Sequence, residues 1–476
     1  MSPRKLFPAA LIFLWLQSAS VVYGATCTRL PDVVRSSATS EGVVSLPWRT
    51  DYPQKKADSK YKWESIDPQQ NWEKYLEAVL SEIRASGLHI TDGRIKMPPD
   101  AQWWIAPWMD YGANGREMIN GLTRERGPEK NDLAPGSQDT FQVWAIGWFN
   151  TEGALSLGDV FSDPCNPDIP EMGWKFQEKT MSFKLLFTDA TNISYLNGAP
   201  KVEAAIYPSD DPRSNDIKKR AKRTLQLFQI DVAIRDEKKA SDTEWIMGTF
   251  IWKGPARGDG LIDNFVPVGL SWGDDPQKLG AQWSSSLTLS QTAINSDLAG
   301  VVWQKDKEWP HRPFAGFQGR LNGPADNQRS SCISCHGLAQ WPRSSELNIL
   351  PRYEVGKKID ADLPPLTEDE IKALVGKYFI NVRGGSLNNS SLLERPTNGE
   401  KKKPAIPLDY SLQLEAGLSR MCQACDVGHL VGPVPKLCRP EFGGRLDKKQ
   451  CGKTIPEAIK SFFGFPNVQE FGMPRQ

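Results

Sequence analysis

The chain has 476 residues, and a typical size of roughly 150 residues per domain predicts two or three domains. Its 39% hydrophobic and 24% charged residues are typical of a globular protein. The net charge of +1 gives no electrostatic reason to bind nucleic acid or an acidic membrane, so neither is expected as a partner.

Residues 1–24 have the pattern of a secretory signal peptide. Arg4 and Lys5 form a short basic start, residues 6–16 are apolar, and small residues lead to a cleavage point expected near Gly24. The apolar run is shorter than the roughly 20 residues that span a bilayer, which favours cleavage over a membrane anchor. We therefore expect export to the periplasm and no membrane insertion of the mature chain.

The segment before residue 310 is predicted to be rich in β-structure. After a polar tether over 25–60, apolar side chains at helical spacing predict a helix over 71–86. Runs of β-branched and aromatic residues between turn residues predict the strands 141–149, 181–187, 202–207, 225–234, 245–252 and 266–272. Because no helix recurs regularly between them, an antiparallel sandwich or barrel is favoured over a parallel sheet.

Tryptophan is concentrated in the same segment. Of the 17 tryptophans, 15 lie between Trp48 and Trp309, so residues 61–309 are predicted to form a Trp-rich, mainly β domain. An aromatic core is favoured over a groove that stacks against a flat ligand for the set Trp103, Trp104, Trp108, Trp144 and Trp148. The charged residues within 116–126 are interpreted as a structural ion-pair network.

The chain changes character after residue 310. Glycines and a proline make a loop-rich approach to residue 332, and the pair Thr367 and Glu370 is a capping box that predicts a helix over 368–379. Residues 384–403 are polar and are predicted as a linker, and a second helix is predicted over 410–421. We therefore divide this part into a module over 310–385 and an extension over 386–476, which ends in a Cys-rich region.

The pattern Cys-Ile-Ser-Cys-His at residues 332–336 is typical of covalent haem c attachment. Cys332 and Cys335 are spaced so that each thiol can add to one haem vinyl group, and His336 is then held beside the iron as the proximal axial ligand. A disulfide followed by a chance histidine is one alternative, and a zinc site with two further ligands is another. The export signal favours haem, because this attachment takes place outside the cytoplasm.

Residues 331–337, followed by the capped helix from Thr367, resemble the class I cytochrome c fold over roughly 310–385. The resemblance implies a small α-helical haem module, in which the closing helix packs against a helix that precedes the motif. The expected fold class is therefore α+β, with a β-rich, sandwich-like domain followed by this module. The whole chain also resembles larger bacterial cytochrome c domain-containing proteins, a resemblance that implies no particular substrate.

The sixth ligand of the iron is not given by the motif. Class I cytochromes place a methionine between the motif and the closing helix, but residues 338–366 contain no Met and no His. Met473 lies in a Gly-Met-Pro sequence like the distal methionine of the family, and His311 lies just upstream of the motif. These two are the main candidates for the distal ligand; Met421, His429, Lys357 and Lys358 are others.

The function depends on whether the sixth position of the iron is occupied by a side chain or is open. Thioether ligation gives a closed site for electron transfer, which predicts an exported monohaem cytochrome that uses a redox partner protein. An open sixth position gives a haem enzyme of the peroxidase or oxidoreductase kind. A haem sensor, or a carbohydrate-binding module fused to a cytochrome, is a third interpretation.

The remaining six cysteines are expected to form disulfides in an exported protein. Cys27 and Cys165 are the two in the N-terminal part and would pair by elimination. Three pairings remain open for the four in the C-terminal extension, which are Cys422, Cys425, Cys438 and Cys451. A second haem at the Cys-x-x-Cys that begins at residue 422, or a zinc site there with His429, is disfavoured.

Overall fold

The computed structural model describes residues 28–29, 49–109, 115–128, 132–134, 141–170, 174–254, 258, 260–279, 289–298, 316–342, 367–388, 405–427 and 430–451. The predicted signal peptide and most of the predicted tether lie outside these ranges. So do Cys27, His311, His429, Met473, Lys357 and Lys358. None of the helices within the described ranges has both the length and the apolarity needed to cross a membrane.

The described elements are short strands and a few helices. The strands are β1 (Thr28–Arg29), β2 (His89–Thr91), β3 (Arg94–Lys96), β4 (Trp104–Ile105), β5 (Thr123–Arg124), β6 (Val143–Phe149), β7 (Met181–Thr188), β8 (Lys201–Ile206), β9 (Ala221–Arg235), β10 (Trp245–Trp252), β11 (Phe265–Ser271), β12 (Thr292–Ile294), β13 (Gln340–Trp341), β14 (Ile406–Pro407) and β15 (Leu430–Val431). The α-helices are α1 (Trp72–Ala85), α2 (Thr151–Val160), α3 (Cys332–His336), α4 (Glu368–Tyr378) and α5 (Leu412–Asp426). All six predicted strands and all three predicted helices are present.

Nine of the described strands form one antiparallel sheet. Its order is β12-β11-β10-β9-β7-β6-β4, with β5 paired to β6 and β8 paired to β9. The 15 residues of β9 reach far enough to pair with β7 along one side and with β8 and then β10 along the other. The mixed α and β character with mainly antiparallel strands is thus confirmed. The predicted sandwich is not seen as two sheets, because the long β9 joins these strands in one.

The two faces of the sheet carry different helices. On one face α1 packs against β11 and the neighbouring β10, where a Cβ at Gly248 would lie 2.5 Å from a methyl carbon of Leu76. Glycine at 248 therefore allows the close approach of the helix. On the opposite face, Trp245 and Met247 of β10 share an apolar cluster with Ile333 of α3 and several side chains of α5. The Cys-x-x-Cys-His segment is thus packed onto the second face of the sheet.

The aromatic residues of the β-rich segment form its core. Trp103, Trp104, Trp108, Trp144 and Trp148 are all buried. Trp148 stacks on Phe183 at 4.9 Å between ring centroids, and the Trp144 indole NH donates to Gln142. These five tryptophans therefore serve as core residues, as predicted, and the ligand groove is not needed to explain them.

The ion-pair network expected within residues 116–126 is only partly present. Arg126 pairs with Asp132 at 3.0 Å, and the Arg116 guanidinium donates to the carbonyl of Gly121. The buried Glu117 carboxylate instead accepts hydrogen bonds from four backbone amides, which belong to Ile119, Asn120, Leu122 and Ala205. Three amides of one turn and one amide of β8 thus hold this carboxylate, and Arg220 interacts with its charge.

Two disulfides close the C-terminal region. Cys422 bonds to Cys438, and Cys425 bonds to Cys451, which selects one of the three open pairings. Cys165 is also disulfide-bonded, whereas its expected partner lies outside the described residues. Because both thiols of the second Cys-x-x-Cys are in disulfides, neither is available to a second haem or to zinc.

Candidate haem-attachment site

The five residues of the motif form the short helix α3. The Ser331 hydroxyl caps it by accepting from the amide of Ser334 at 3.0 Å. Residues three and four apart lie on one side of a helix, so Cys332, Cys335 and His336 project together. All three are half-buried, whereas Ile333 and Ser334 are buried against the protein. The helix therefore turns its two thiols and its imidazole towards the same space.

A buried carboxylate holds the inner side of α3. Asp274 lies three residues after the end of β11. Its carboxylate accepts a hydrogen bond from the Ser331 hydroxyl at 2.6 Å and another from the Ser334 hydroxyl. Burial raises the pKa of Asp274, and the two hydroxyl donors oppose that shift. Its second oxygen has no hydrogen-bond partner among the described residues. The two serine hydroxyls therefore join α3 to the segment that follows β11.

Arg320 strengthens the same connection from the chain just before the motif. Its buried guanidinium donates to the carbonyls of Asp274 at 2.6 Å and Asp275 at 3.0 Å. It also lies 5.1 Å from the ring centroid of Phe379, which stacks on Phe317 at 4.5 Å. These contacts cross residue 310, so the Cys-x-x-Cys-His segment is joined to the β-rich segment by buried polar bonds.

The approach to the motif differs from the class I pattern. Residues 316–331 contain a single 3₁₀ turn over Phe317–Gly319 and no α-helix, so the helix implied before the motif is absent there. Glycines at 316, 319 and 323 and a proline at 324 disfavour a helix in this stretch. The end of α4 nevertheless reaches the motif, because the Tyr378 hydroxyl lies 2.5 Å from that of Ser330.

His336 is oriented by a backbone carbonyl. Its Nδ1 lies 2.9 Å from the oxygen of Tyr410, so Nδ1 donates its proton there and Nε2 keeps its lone pair. Burial lowers the pKa of His336, which favours the neutral ring that binds metals. Nε2 has no hydrogen-bond partner among the described residues. The ring thus has the tautomer and orientation of an axial ligand held by an outer hydrogen bond.

The two motif cysteines are free thiols. Cys332 donates its backbone amide to Leu321 at 3.0 Å, and its Sγ lies 3.6 Å from the side-chain oxygen of Asn322. Burial raises the pKa of Cys332 well above its ordinary value and that of Cys335 to about 11. Both sulfurs therefore remain protonated near neutral pH, which slows disulfide exchange.

A row of charged side chains crosses the sheet beside the motif. Lys184 of β7 lies between Gly147 of β6 and Asp231 of β9, and its ammonium nitrogen is 3.7 Å from Asp231 and 3.8 Å from Glu125. The Gln229 amide donates to Asp231 at 2.7 Å and to Asp326 at 3.3 Å. Burial, together with the charge of Asp326, raises the pKa of Asp231 to about 7.

A small, mainly apolar cleft lies next to this row. It is partly open to solvent and has room for about one water molecule. Its lining includes the charged groups Arg116, Glu125 and Lys184 together with Met109 and Gln413. Glycine at 147 of β6 leaves space for the Gln413 side chain in this cleft, since a Cβ there would lie 2.2 Å from the Gln413 amide nitrogen.

Of the predicted site residues, the structure brings together the three of the motif. Met421 is fully buried in the apolar cluster around α5, where helical periodicity would place it. A cluster of three or more His, Cys, Asp or Glu side chains with metal-binding geometry is absent from the described part of the chain. Sequence reasoning missed Asp274, Asn322 and Tyr410, because no spacing signals a contact made by a distant backbone or loop.

Comparison with known proteins gives no further guide to identity. The chain matches no protein-family model, no curated protein and no solved structure. The likeness to class I cytochromes therefore stays a prediction from the motif and the capped helix. The functional interpretation depends on the chemistry and the geometry of α3 and its partners.

Proposed function

We propose that this protein is an exported c-type cytochrome that carries one haem and transfers electrons. Cys332 and Cys335 hold the haem through two thioether bonds, and His336 is the proximal ligand of the iron. The periplasm, reached through the predicted signal peptide, is its compartment, and its physiological partner is another redox protein.

One observation carries the proposal. The His336 ring donates Nδ1–H to Tyr410 and presents an unpartnered Nε2 on the same side of α3 as two free thiols. The other described cysteines are all in disulfides. A pair of reduced thiols one turn apart beside an oriented imidazole suits covalent haem attachment better than a disulfide or a zinc site.

The chain's own residues would attach the haem and set how strongly its imidazole ligand donates to the iron. The bound haem supplies the one-electron Fe(III)/Fe(II) change. The two thiols would hold the haem through its vinyl groups. Burial keeps the His336 imidazole neutral, while the Tyr410 carbonyl fixes its tautomer and would strengthen its donation to iron. Asp274, through Ser331 and Ser334, keeps α3 on the sheet so that the attachment point is rigid.

The row of charged side chains beside the motif favours a second function, a haem enzyme of the peroxidase or oxidoreductase kind. Glu125 and Lys184 line the cleft and, with Asp231 and Asp326, stand beside the motif. Charged side chains of this kind can move protons for a substrate that reaches the iron. The absence of Met and His from residues 338–366 agrees with an open sixth position.

Covalent attachment is tested by expressing the full chain with a haem c maturation system. We expect one haem per chain that survives denaturing electrophoresis, and none in the Cys332→Ala/Cys335→Ala variant. Cys422→Ala/Cys438→Ala is the matched control, because it also removes two cysteines but should keep the stain. Covalent haem in the first variant would overturn the assignment.

Optical spectra separate the two functions. A low-spin oxidised spectrum with a Met–iron charge-transfer band, and a reduced form that does not bind carbon monoxide, identify the electron carrier. A high-spin oxidised spectrum and rapid carbon monoxide binding identify the enzyme with an open iron.

A further inference from the structure

The turn that presents a carbonyl to His336 has an unusual backbone. Asp409 and Tyr410 have φ values of +44° and +65°, so two successive non-glycine residues lie in the left-handed region. This conformation is unfavourable for a residue with a side chain and persists only where its surroundings stabilise it. Ser411, which follows directly, is the N-cap of α5. The backbone turns sharply here before the helix starts.

The carboxylate of Asp409 stabilises this left-handed turn. It is buried and accepts hydrogen bonds from the amide of Phe176 at 2.7 Å, the indole NH of Trp245 at 2.9 Å and the amide of Gly385 at 3.0 Å. The Nε of Arg235 lies 3.7 Å away. The three donors come from separate parts of the chain, so one side chain ties this turn to β10, to the loop before β7 and to the chain after α4.

Tyr410 is fixed on its other sides as well. Its hydroxyl donates to the carbonyl of Val382 at 2.5 Å, and its ring lies 6.2 Å from that of Trp245. The preceding Leu408 donates its amide to the carbonyl of Ala339, three residues after His336, at 3.0 Å. With the backbone fixed on both sides, the Tyr410 carbonyl has little freedom to turn away from the imidazole.

We propose that Asp409 is a positioning residue for the haem ligand, which sets the reduction potential by fixing the Tyr410 carbonyl on Nδ1 of His336. The inference rests on the proposed haem function. A firm Nδ1–H bond to a carbonyl raises the basicity of the imidazole and stabilises Fe(III). When the turn loosens, that bond weakens and the ferrous state becomes relatively more stable. Asp409 thus acts through Tyr410 and touches no reacting atom.

The test uses the haem-loaded full chain and Asp409→Asn. Asparagine tolerates the left-handed backbone, but its NH₂ group replaces an acceptor where three donors converge. We expect covalent haem to remain and the Fe(II)/Fe(III) equilibrium constant to shift about tenfold towards Fe(II), which is 59 mV for one electron. The Nδ1–H of His336, observed by NMR in ¹⁵N-histidine-labelled protein, should exchange with solvent faster.

Asp231→Asn is the control for charge. Measured at pH 8, above the pKa of about 7 of Asp231, it removes another negative charge near the motif but touches neither Tyr410 nor its anchors. We expect it to shift the potential alone and to leave the Nδ1–H exchange rate at the wild-type value. Trp245→Phe, which removes one donor to Asp409 and keeps an aromatic ring, should shift the potential and the exchange rate in the same direction as Asp409→Asn, by less. It is the variant to measure where Asp409→Asn does not fold.

Different results would overturn the haem function and the positioning role of Asp409. A wild-type chain without covalent haem overturns the proposed function. A haem-loaded Asp409→Asn variant, or Trp245→Phe in its place, with unchanged Nδ1–H exchange overturns the positioning role, whatever the potential does.

Discussion

The Nδ1 atom of His336 lies 2.9 Å from the carbonyl oxygen of Tyr410, a residue 74 positions further along the chain. Tyr410 precedes α5, in the stretch that the sequence assigns to a C-terminal extension. The extension therefore completes the site that the motif begins. The Gln340 amide, which lies 3.3 Å from the Glu415 carboxylate, and the pairing of β13 with β14 make the same connection.

Ser331 should matter more to stability than an ordinary helix cap. Ser331→Ala removes the N-cap of α3 and one hydroxyl donor to the buried Asp274. A lost cap costs about 1 kcal/mol, and a lost bond to a buried carboxylate adds about 2 kcal/mol. We expect the free energy of unfolding in urea to fall by about 3 kcal/mol.

Thr367→Ala is the matched control for that cap. Thr367 caps α4 by accepting from the amide of Glu370, and both residues are exposed. Its loss should therefore cost about 1 kcal/mol. Equal losses in the two variants would show that the contact with Asp274 contributes nothing.

Glu117 should tolerate no change of charge. Each Glu117 oxygen accepts from two backbone amides, so the NH₂ group that Glu117→Gln introduces leaves two amides without an acceptor and facing a donor. We expect the free energy of unfolding to fall by about 3 kcal/mol. Glu125→Gln, at a half-buried residue 3.8 Å from Lys184, should cost less than about 1 kcal/mol. A smaller loss at 117 than at 125 contradicts the prediction.

Asp231 should make stability depend on pH in the direction opposite to most carboxylates. Its pKa is about 7 in the folded protein and near 3.8 when unfolded, so the folded state binds the proton more tightly between these values. The free energy of unfolding therefore falls as pH rises from about 4 to 7, by at most about 1.4 kcal/mol per pH unit from this group. Above pH 7 its contribution is constant.

Asp231→Asn removes that dependence. The difference in free energy of unfolding between variant and wild type, measured in urea at pH 5, 6, 7 and 8, should increase with pH in favour of the variant up to about 7. Asp274 and Asp409 titrate in both proteins and cancel in the difference. A difference that does not vary with pH contradicts the raised pKa.

The disulfide pattern predicts which thiols are free. In protein without haem, unfolded but not reduced, alkylation followed by mass mapping should modify Cys332 and Cys335. Peptides joined as Cys422–Cys438 and Cys425–Cys451 should resist it. Modification of Cys422 or Cys425 would contradict the pairing. Removing the second bond, whose cysteines are 26 positions apart, should cost up to about 3.5 kcal/mol through loop entropy.

Local pattern was enough to predict most of the secondary structure. The strand Trp245–Trp252 has the predicted bounds, and α1 differs by one residue at each end. The strand β9 begins four residues before the predicted start at 225, shortly after a 3₁₀ turn over Ile217–Lys219. The helix α2 was missed, since its first turn depends on a buried Asn150 cap that also serves β7.

The sequence by itself determined the chemistry of the motif. Two thiols and an imidazole at fixed spacing are a local property, and the helical turn that brings them to one side needs only five residues. The predicted aromatic core and the helix capped by Thr367 are of the same local kind.

Only the tertiary structure decided what surrounds the motif. The carbonyl of Tyr410, the carboxylates of Asp274 and Asp409 and the choice among three disulfide pairings all depend on residues that are distant along the chain. Backbone carbonyls are present at every residue, so no sequence pattern marks the one that is aimed at His336. The direction of that carbonyl comes from a left-handed turn, which is stable because buried donors from three segments converge on Asp409.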